Sequence, residues 1–250
     1  MPFFSTNIIK TIVPAIVQTP IVPVDSRTYE GEWINWSVGK EVKREFIKNK
    51  LNFYKDNGSA IVFGNGLSRQ QEMVDRIKQT NDRKIINYYN VLYVCNLGYT
   101  DIDPDFLIVT NKLLASKIPK KYHDRIYTRP EILRLGEGMN LIPINYNLDA
   151  GATAAMIACF HGAKKVFLYG FDGAPDNKPN NIYAGKQFYP NADEETNDIK
   201  WQENLARVIS VYPDTMFYRI NTSPPNSRML QKFPNYQIID NKMFASLADL

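Results

Sequence analysis

Ser59-Ala60-Ile61-Val62-Phe63-Gly64-Asn65-Gly66-Leu67-Ser68 is the stretch on which the fold turns. Ser59 to Phe63 is short and β-rich, as a strand buried in a sheet must be. Gly64 to Ser68 reads as a tight loop, because two glycines let backbone take positive φ and approach a neighbour closely. Arg69 to Gln79 follows with helical spacing, and Ser68 stands where a side chain can cap that helix. A helix N-terminus behind a glycine loop presents free amides and a partial positive charge, the outline of a phosphate or nucleotide site. The pattern is neither the full dinucleotide fingerprint nor a Walker loop, which needs Gly-Lys-Ser/Thr. A plain turn between strand and helix fits it as well.

The same alternation continues along the chain. Asn90 to Cys95 and Phe106 to Thr110 read as strands, and Asn111 to Ser116 as a helix or turn. A further strand is expected at Asn140 to Ile144. Asp149 to Phe160 is alanine-rich and proline-free, a helix closed by Gly162. Lys165 to Tyr169 is a strand ending at Gly170-Phe171-Asp172. A helix near Glu194 to Val211 and a strand at Met216 to Ile220 complete the series. Short, continuously apolar strands between helices predict an α/β, Rossmann-like fold: a mostly parallel sheet with helices on both faces. Right-handed crossovers place the loops after the strands along one edge, where such sheets bind ligands.

Residues 1–57 read differently. Pro2, Pro14, Pro20 and Pro23 make the first 35 residues an irregular arm anchored by Trp33 and Trp36. Val38, Val42, Phe46, Ile47, Leu51 and Tyr54 follow helical spacing up to Asn57-Gly58. The division expected is thus an arm with a helix over 1–57, packing on the main domain or on a second copy in a homo-oligomer, and a nucleotide-binding domain over 58–250. Within it, the polar segment 173–195 is expected to be a lid.

Composition excludes several classes. The chain has 250 residues, of which 44% are hydrophobic and 22% charged, so it can bury a core without metal or disulfide staples. With 30 Lys+Arg against 26 Asp+Glu, no basic block is long enough to suggest nucleic acid, and Lys117 to Arg125 reads as a solvated face. No apolar run reaches the roughly 18 residues of a membrane span, and no secretory signal is legible. Cys95 and Cys159 read as buried free thiols in a reducing, cytoplasmic setting.

Polar residues and glycines stand at every strand end. Asn96 follows Val91 to Cys95, and Asn111 follows Leu107 to Thr110; each can pair with a base or ribose, or merely cap the next turn. Gly151 and its alanines let a helix N-terminus approach a ligand, or simply pack tightly on the sheet. Asp172 between Gly170 and Gly173 can bind ribose, metal or an acceptor hydroxyl, or bond its own turn.

Gly64-Asn65-Gly66-x-Ser68, Cys95-Asn96, Thr110-Asn111, Gly151 to Ala158, Gly162 to Asp172, and Asn226-Ser227 with Phe233-Pro234-Asn235 occur in an order that resembles the bacterial sialyltransferases of lipo-oligosaccharide, which use CMP-sialic acid. The chain also resembles the related 6-hydroxymethylpterin diphosphokinase-like family. The resemblance spans roughly residues 58 to 240. It implies nucleotide contacts by Gly64, Asn65, Gly66, Ser68, Asn96 and Asn111, with Gly151, Ala152, Thr153 and Gly170 in the same cleft. It implies catalytic roles for Asp172 and for two lid tyrosines, Tyr183 and Tyr189, which would contact the phosphate and assist the leaving group. The partners implied are a nucleotide or nucleotide sugar and a glycan or small-molecule acceptor, with no cofactor required and no metal ligands.

One departure stands out. The family's catalytic base is a histidine after the lid, whereas His123 and His161 both precede it. His161, before Gly162, reads as a capping or cationic residue at a helix C-terminus. A carboxylate among Asp172, Asp176, Asp193, Glu194 and Glu195 could replace the missing base if its pKa were raised. The alternatives are a Mg2+-dependent pyrophosphokinase, using Asp172 with Asp176 or the Asp101-Asp103-Asp105 cluster, and a nucleotide-binding module without catalysis.

Overall fold

In the computed structural model, the residues described are 28–37, 40–50, 58–82, 90–129, 132, 138–142, 148–172, 180–186, 188–189, 198–220 and 228–250; for 28–50 the description is of backbone alone. The decisive stretch forms β3 (Ser59–Phe63), and Ala60 to Phe63 are at most 1% exposed. Around it lie β4 (Val91–Cys95), β5 (Phe106–Val109), β6 (Ile126–Thr128), β7 (Asn140–Leu141), β8 (Lys165–Tyr169), β9 (Met216–Ile220) and β10 (Tyr236–Ile239). They make one eight-stranded sheet in the order β10-β9-β8-β3-β4-β5-β6-β7, and every described pairing in it is parallel. The α/β, Rossmann-like architecture expected from the alternation is what the chain adopts.

The strands alternate between two cores, as a side-chain period of two requires. Ala60, Val62, Val91, Tyr93 and Cys95 face one; Ile61, Phe63, Leu92 and Val94 face the other. The first core is covered by α3 (Ala150–Phe160) and α4 (Asp198–Val211). The second is covered by α1 (Gln71–Asp82), α2 (Lys112–Ala115) and α5 (Asn241–Leu247), through Met73, Val74, Ile77, Leu114 and Phe244. α3 packs against both the sheet and α4, which accounts for a helix buried without interruption from Ala152 to Cys159. Alanines permit that close approach.

From β3 the chain winds outward through β4, β5, β6 and β7. It then returns through α3 to place β8 on the other side of β3. Because crossovers keep one hand, reversing the direction moves the helices to the opposite face. The strand order therefore switches between β3 and β8, the place where sheets of this kind bind ligands at their carboxyl ends.

Three expectations need correction, and two strands were missed. The helix expected over Val38 to Tyr54 is strand in its described part: β1 (Thr28–Ser37) pairs antiparallel with β2 (Lys40–Lys50) in a separate two-stranded sheet, and 38–39 and 51–54 lie outside the described residues. The β-favouring Tyr29, Trp33, Ile34 and Trp36 supply a partner strand, and a hairpin overrides a 3.6 spacing that also reads as Val42, Arg44 and Phe46 on alternate positions. Ser68 does not cap α1, since the carbonyl of Gln70 accepts the first helical bond, from the amide of Val74 at 3.1 Å. β6, three residues directly after a basic stretch, and β10, half exposed, were not read as strands. His161 is the C-cap of α3 but carries no charge. It is buried, its Nδ1 is 2.7 Å from the Tyr93 hydroxyl and its Nε2 is 3.1 Å from that of Tyr127, and burial lowers its pKa to about 3.

Candidate functional site

The glycine loop is stitched to the end of β8. The amide of Gly64 donates to the carbonyl of Tyr169 and that of Gly66 to the carbonyl of Gly170, each at 2.8 Å. A Cβ on Gly64 would lie 2.5 Å from the Gly170 carbonyl oxygen, and one on Gly66 would strike the Asp172 carboxylate. Only glycine allows the two strand ends to approach so closely. Asp172 fills the space: one oxygen accepts from the Ser68 amide at 2.6 Å and the other from the Ser68 hydroxyl. The carboxylate therefore ties the loop after β8 to the loop after β3, and bonds across to Ser68 rather than into its own turn.

A strap made of residues 180–186 and 188–189 lies over this junction. The Ile182 amide donates to the Asn65 carbonyl at 2.9 Å. The Asn65 side-chain amide donates to the Tyr189 hydroxyl at 3.0 Å, and that of Asn111 donates to the Phe188 carbonyl at 3.2 Å. Asn111 also caps α2, its Oδ1 accepting from the Leu114 amide at 3.1 Å. Asn96 has the positive φ of 47° that asparagine tolerates, and turns the chain sharply at the end of β4. Burial pushes the Tyr189 phenol up to about 12, opposed by hydrogen bonds involving Leu97, Asn96 and Asn65. Asn65 and Asn111 thus bond to the same strap, on the rim that also carries Asp172, while Asn96 Oδ1 accepts from the Thr110 amide at 3.4 Å.

Beneath the strap sits Arg69, which the sequence reading passed over. Its side chain is 4% exposed and forms an ion pair with Asp101 at 2.7 Å. The guanidinium carbon lies 4.4 Å from the centre of the Phe63 ring and 5.6 Å from that of Tyr183. Tyr183 donates its hydroxyl to Asp101, and its ring stands 5.7 Å from that of Tyr189. Burial, reinforced by the Asp101 bond, raises the Tyr183 pKa. Burial pushes the Asp101 carboxyl up, but bonds from Tyr183 and Arg69 outweigh it, so the net shift is down and the group stays a carboxylate. A signal for Arg69 existed: a cation at the start of a helix opposes the macrodipole, which asks for a reason.

Gly151, Ala152 and Thr153 are placed otherwise. Ala152 and Thr153 are buried, and Asp149 takes both their amides, the first through Oδ1 and the second through its carbonyl, at 2.9 Å each. Gly151 packs under the Phe171 ring, where a Cβ would come within 2.9 Å. Gly170 holds a φ of +71° against the Arg69 stem. Asn235, quoted for the resemblance, is a structural tie: its amide reaches the carbonyls of Ile209, Tyr212 and Thr215 around the end of α4. Asp176, Asp193, Glu194, Glu195, Asn226 and Ser227 lie outside the described residues.

The acidic cluster divides. Asp101 takes Arg69, Asp103 takes Arg125 at 2.9 Å, and Asp105 accepts from the Leu92 amide at 2.9 Å. Among the described residues no group of three or more His, Cys, Asp or Glu is placed to hold a metal. No described helix is long and apolar enough to cross a membrane. Cys95 and Cys159 are free and buried, and burial raises both thiol pKa values. No family model matches the chain, and no curated protein or solved structure matches it.

Proposed function

We propose that this protein binds a CMP-type nucleotide sugar at the carboxyl ends of β3, β4, β5 and β8 and acts as a sialyltransferase-like glycosyltransferase. The observation that carries this reading is the bonding of Asn65 and Asn111, which follow β3 and β5, to one tyrosine-bearing strap beside the point where the strand order reverses. Asparagine side chains offer both donor and acceptor edges to a base or ribose. Tyr189, protonated throughout the neutral range, is suited to donate a hydrogen bond to a departing phosphate, and Tyr183 likewise. In that scheme the strap opens to admit the donor and closes to exclude water. Asp172, with both oxygens engaged by Ser68, supports the loop that holds the donor.

A second reading is favoured by one observation. His161 is locked in the core as a neutral imidazole between Tyr93 and Tyr127. It is no base for an acceptor hydroxyl at the strand ends. A nucleotide-binding module that performs no transfer fits this equally well. Asp101, Asp103 and Asp105, with their separate partners, lend no support to a Mg2+-dependent pyrophosphokinase.

Thermal shift with a nucleotide panel, with and without magnesium, tests these readings. CMP is expected to raise the melting temperature without metal. Asn65→Ala and Asn111→Ala should each weaken CMP binding about tenfold, the worth of one lost hydrogen bond to a charged or buried partner, with the fold intact. Equal CMP affinity in both variants overturns the assignment. Hydrolysis or transfer of CMP-sialic acid by the wild type separates transferase from binding module.

A further inference from the structure

Two buried side chains in the cleft have atoms without hydrogen-bond partners among the described residues: Oδ1 of Asn65, and Nε and Nη1 of Arg69. Buried polar atoms are nearly always satisfied, and an orphaned charged donor is costlier still. Asp101 neutralises the guanidinium but engages only Nη2. The faces of the Phe63 and Tyr183 rings attract the cation but offer Nε and Nη1 no lone-pair acceptor. The two groups lie by one ring: a Cβ on Gly98 would meet Phe63 Cδ1 at 3.5 Å and Asn65 Oδ1 at 3.6 Å, with the Val94 side chain nearer at 2.6 Å. Arg69 stacks on that same Phe63 ring, and Tyr183 and Tyr189 close the circle from above.

We propose that Arg69 is the anion-recognising residue of the cleft, with Nε–H and Nη1–H donating to a phosphate or carboxylate oxygen of the bound ligand. Asn65 Oδ1 then accepts from an N–H or O–H of the same ligand. Arginine suits the role because it remains charged in a desolvated pocket and presents planar donors that an ammonium lacks. Asp101 holds the guanidinium in place without competing for those hydrogens. Tyr183 must lift for the anion to reach them, so binding and strap movement are coupled. The assignment rests on the cleft being a ligand site and not on the ligand being CMP.

Titration calorimetry of the full chain with CMP, cytidine, inorganic phosphate and N-acetylneuraminate tests it. Arg69→Lys keeps the charge opposite Asp101 but loses the planar donors. It should weaken CMP binding about tenfold or more and leave cytidine unchanged. If the lysine variant fails to fold, the double variant Arg69→Met/Asp101→Asn removes both charges and carries the same expectation. Arg69-dependent binding of N-acetylneuraminate, with CMP and cytidine bound equally, identifies a carboxylate as the anion; it retains the Arg69 assignment and overturns the phosphate reading. Equal CMP affinity in wild type and a folded variant, with Asn111→Ala still impaired, overturns the role of Arg69 and leaves the nucleotide site standing. Failure of the wild type to bind CMP, phosphate or N-acetylneuraminate overturns both.

Discussion

His161 shows how little a residue's type says about its role. At the end of a helix, before Gly162, it reads as a capping or cationic residue, and the capping position is the one it holds. The tertiary structure seats it between two tyrosine hydroxyls and against Phe106, with ring centres 4.8 Å apart. Its folded pKa is about 3 against an ordinary value of 6.5. A depressed histidine binds fewer protons folded than unfolded, so it costs nothing above pH 6.5 and destabilises progressively as pH falls from there toward 3. The full effect is at most on the order of 5 kcal/mol. Urea midpoints at pH 7.5 and 4.5 should therefore differ more in the wild type than in His161→Phe, even though that variant leaves two hydroxyls to re-pair and is less stable at neutral pH. A difference of the same size in both proteins refutes the buried neutral imidazole. Asp101 adds its own acid loss, but only as pH falls below 3.8, its ordinary value, through its lowered folded one. Choosing pH 4.5 keeps the two apart.

At the scale of elements, the start of α3 is held by one side chain. Asp149 takes the Ala152 amide through Oδ1, while its Oδ2 accepts from the Asn204 amide on α4 at 3.0 Å. That carboxylate both caps a helix and fastens it to its neighbour. Asp149→Ala removes the cap, worth about 1 kcal/mol, and leaves the buried Asn204 amide unpaired, which costs about 1–3 kcal/mol more. Asp149→Ser should recover the capping part alone. Chemical denaturation of the three proteins checks the order wild type, Ser, Ala; a serine variant no better than alanine removes the cap from the account. The elements legible beforehand were β3, β4, β5, β7, β8 and β9 with α1 to α4, through short apolar runs, helical spacing or, for α3, an alanine-rich stretch without proline. β1 and β2 were misread because Val42 and Phe46, four apart, suit one face of a helix and one face of a strand alike, and only a pairing partner decides between them. β10 escaped notice because only Tyr236 and Ile239 of its four residues are buried, as an edge strand allows.

For the molecule as a whole, the eight-stranded sheet pairs entirely within residues 59–239, and the hairpin over 28–50 pairs with itself. Removing residues 1–57 should leave one cooperative unfolding transition and unchanged CMP binding. The truncation also deletes Trp33 and Trp36, leaving Trp201 of the three tryptophans. Trp201 packs against Phe171 and Arg219 beside the end of β8, so its fluorescence reports that core directly. Loss of the transition, or of binding, would show that the hairpin belongs to the domain rather than to an arm.

What the sequence by itself determined is the order of strands and helices, the doubly covered parallel sheet, and which polar residues stand at strand ends. Those follow from periodicity, glycine placement and burial on both faces, all of which are local. Only the tertiary structure decided which strand ends are neighbours. The return of the chain through α3 sets β8 beside β3, and that brings Asp172 to Ser68, the strap to Asn65 and Asn111, and Arg69 under Tyr183. Contacts between residues a hundred positions apart depend on strand order, and strand order is chosen by the packing of the whole sheet rather than by any one segment.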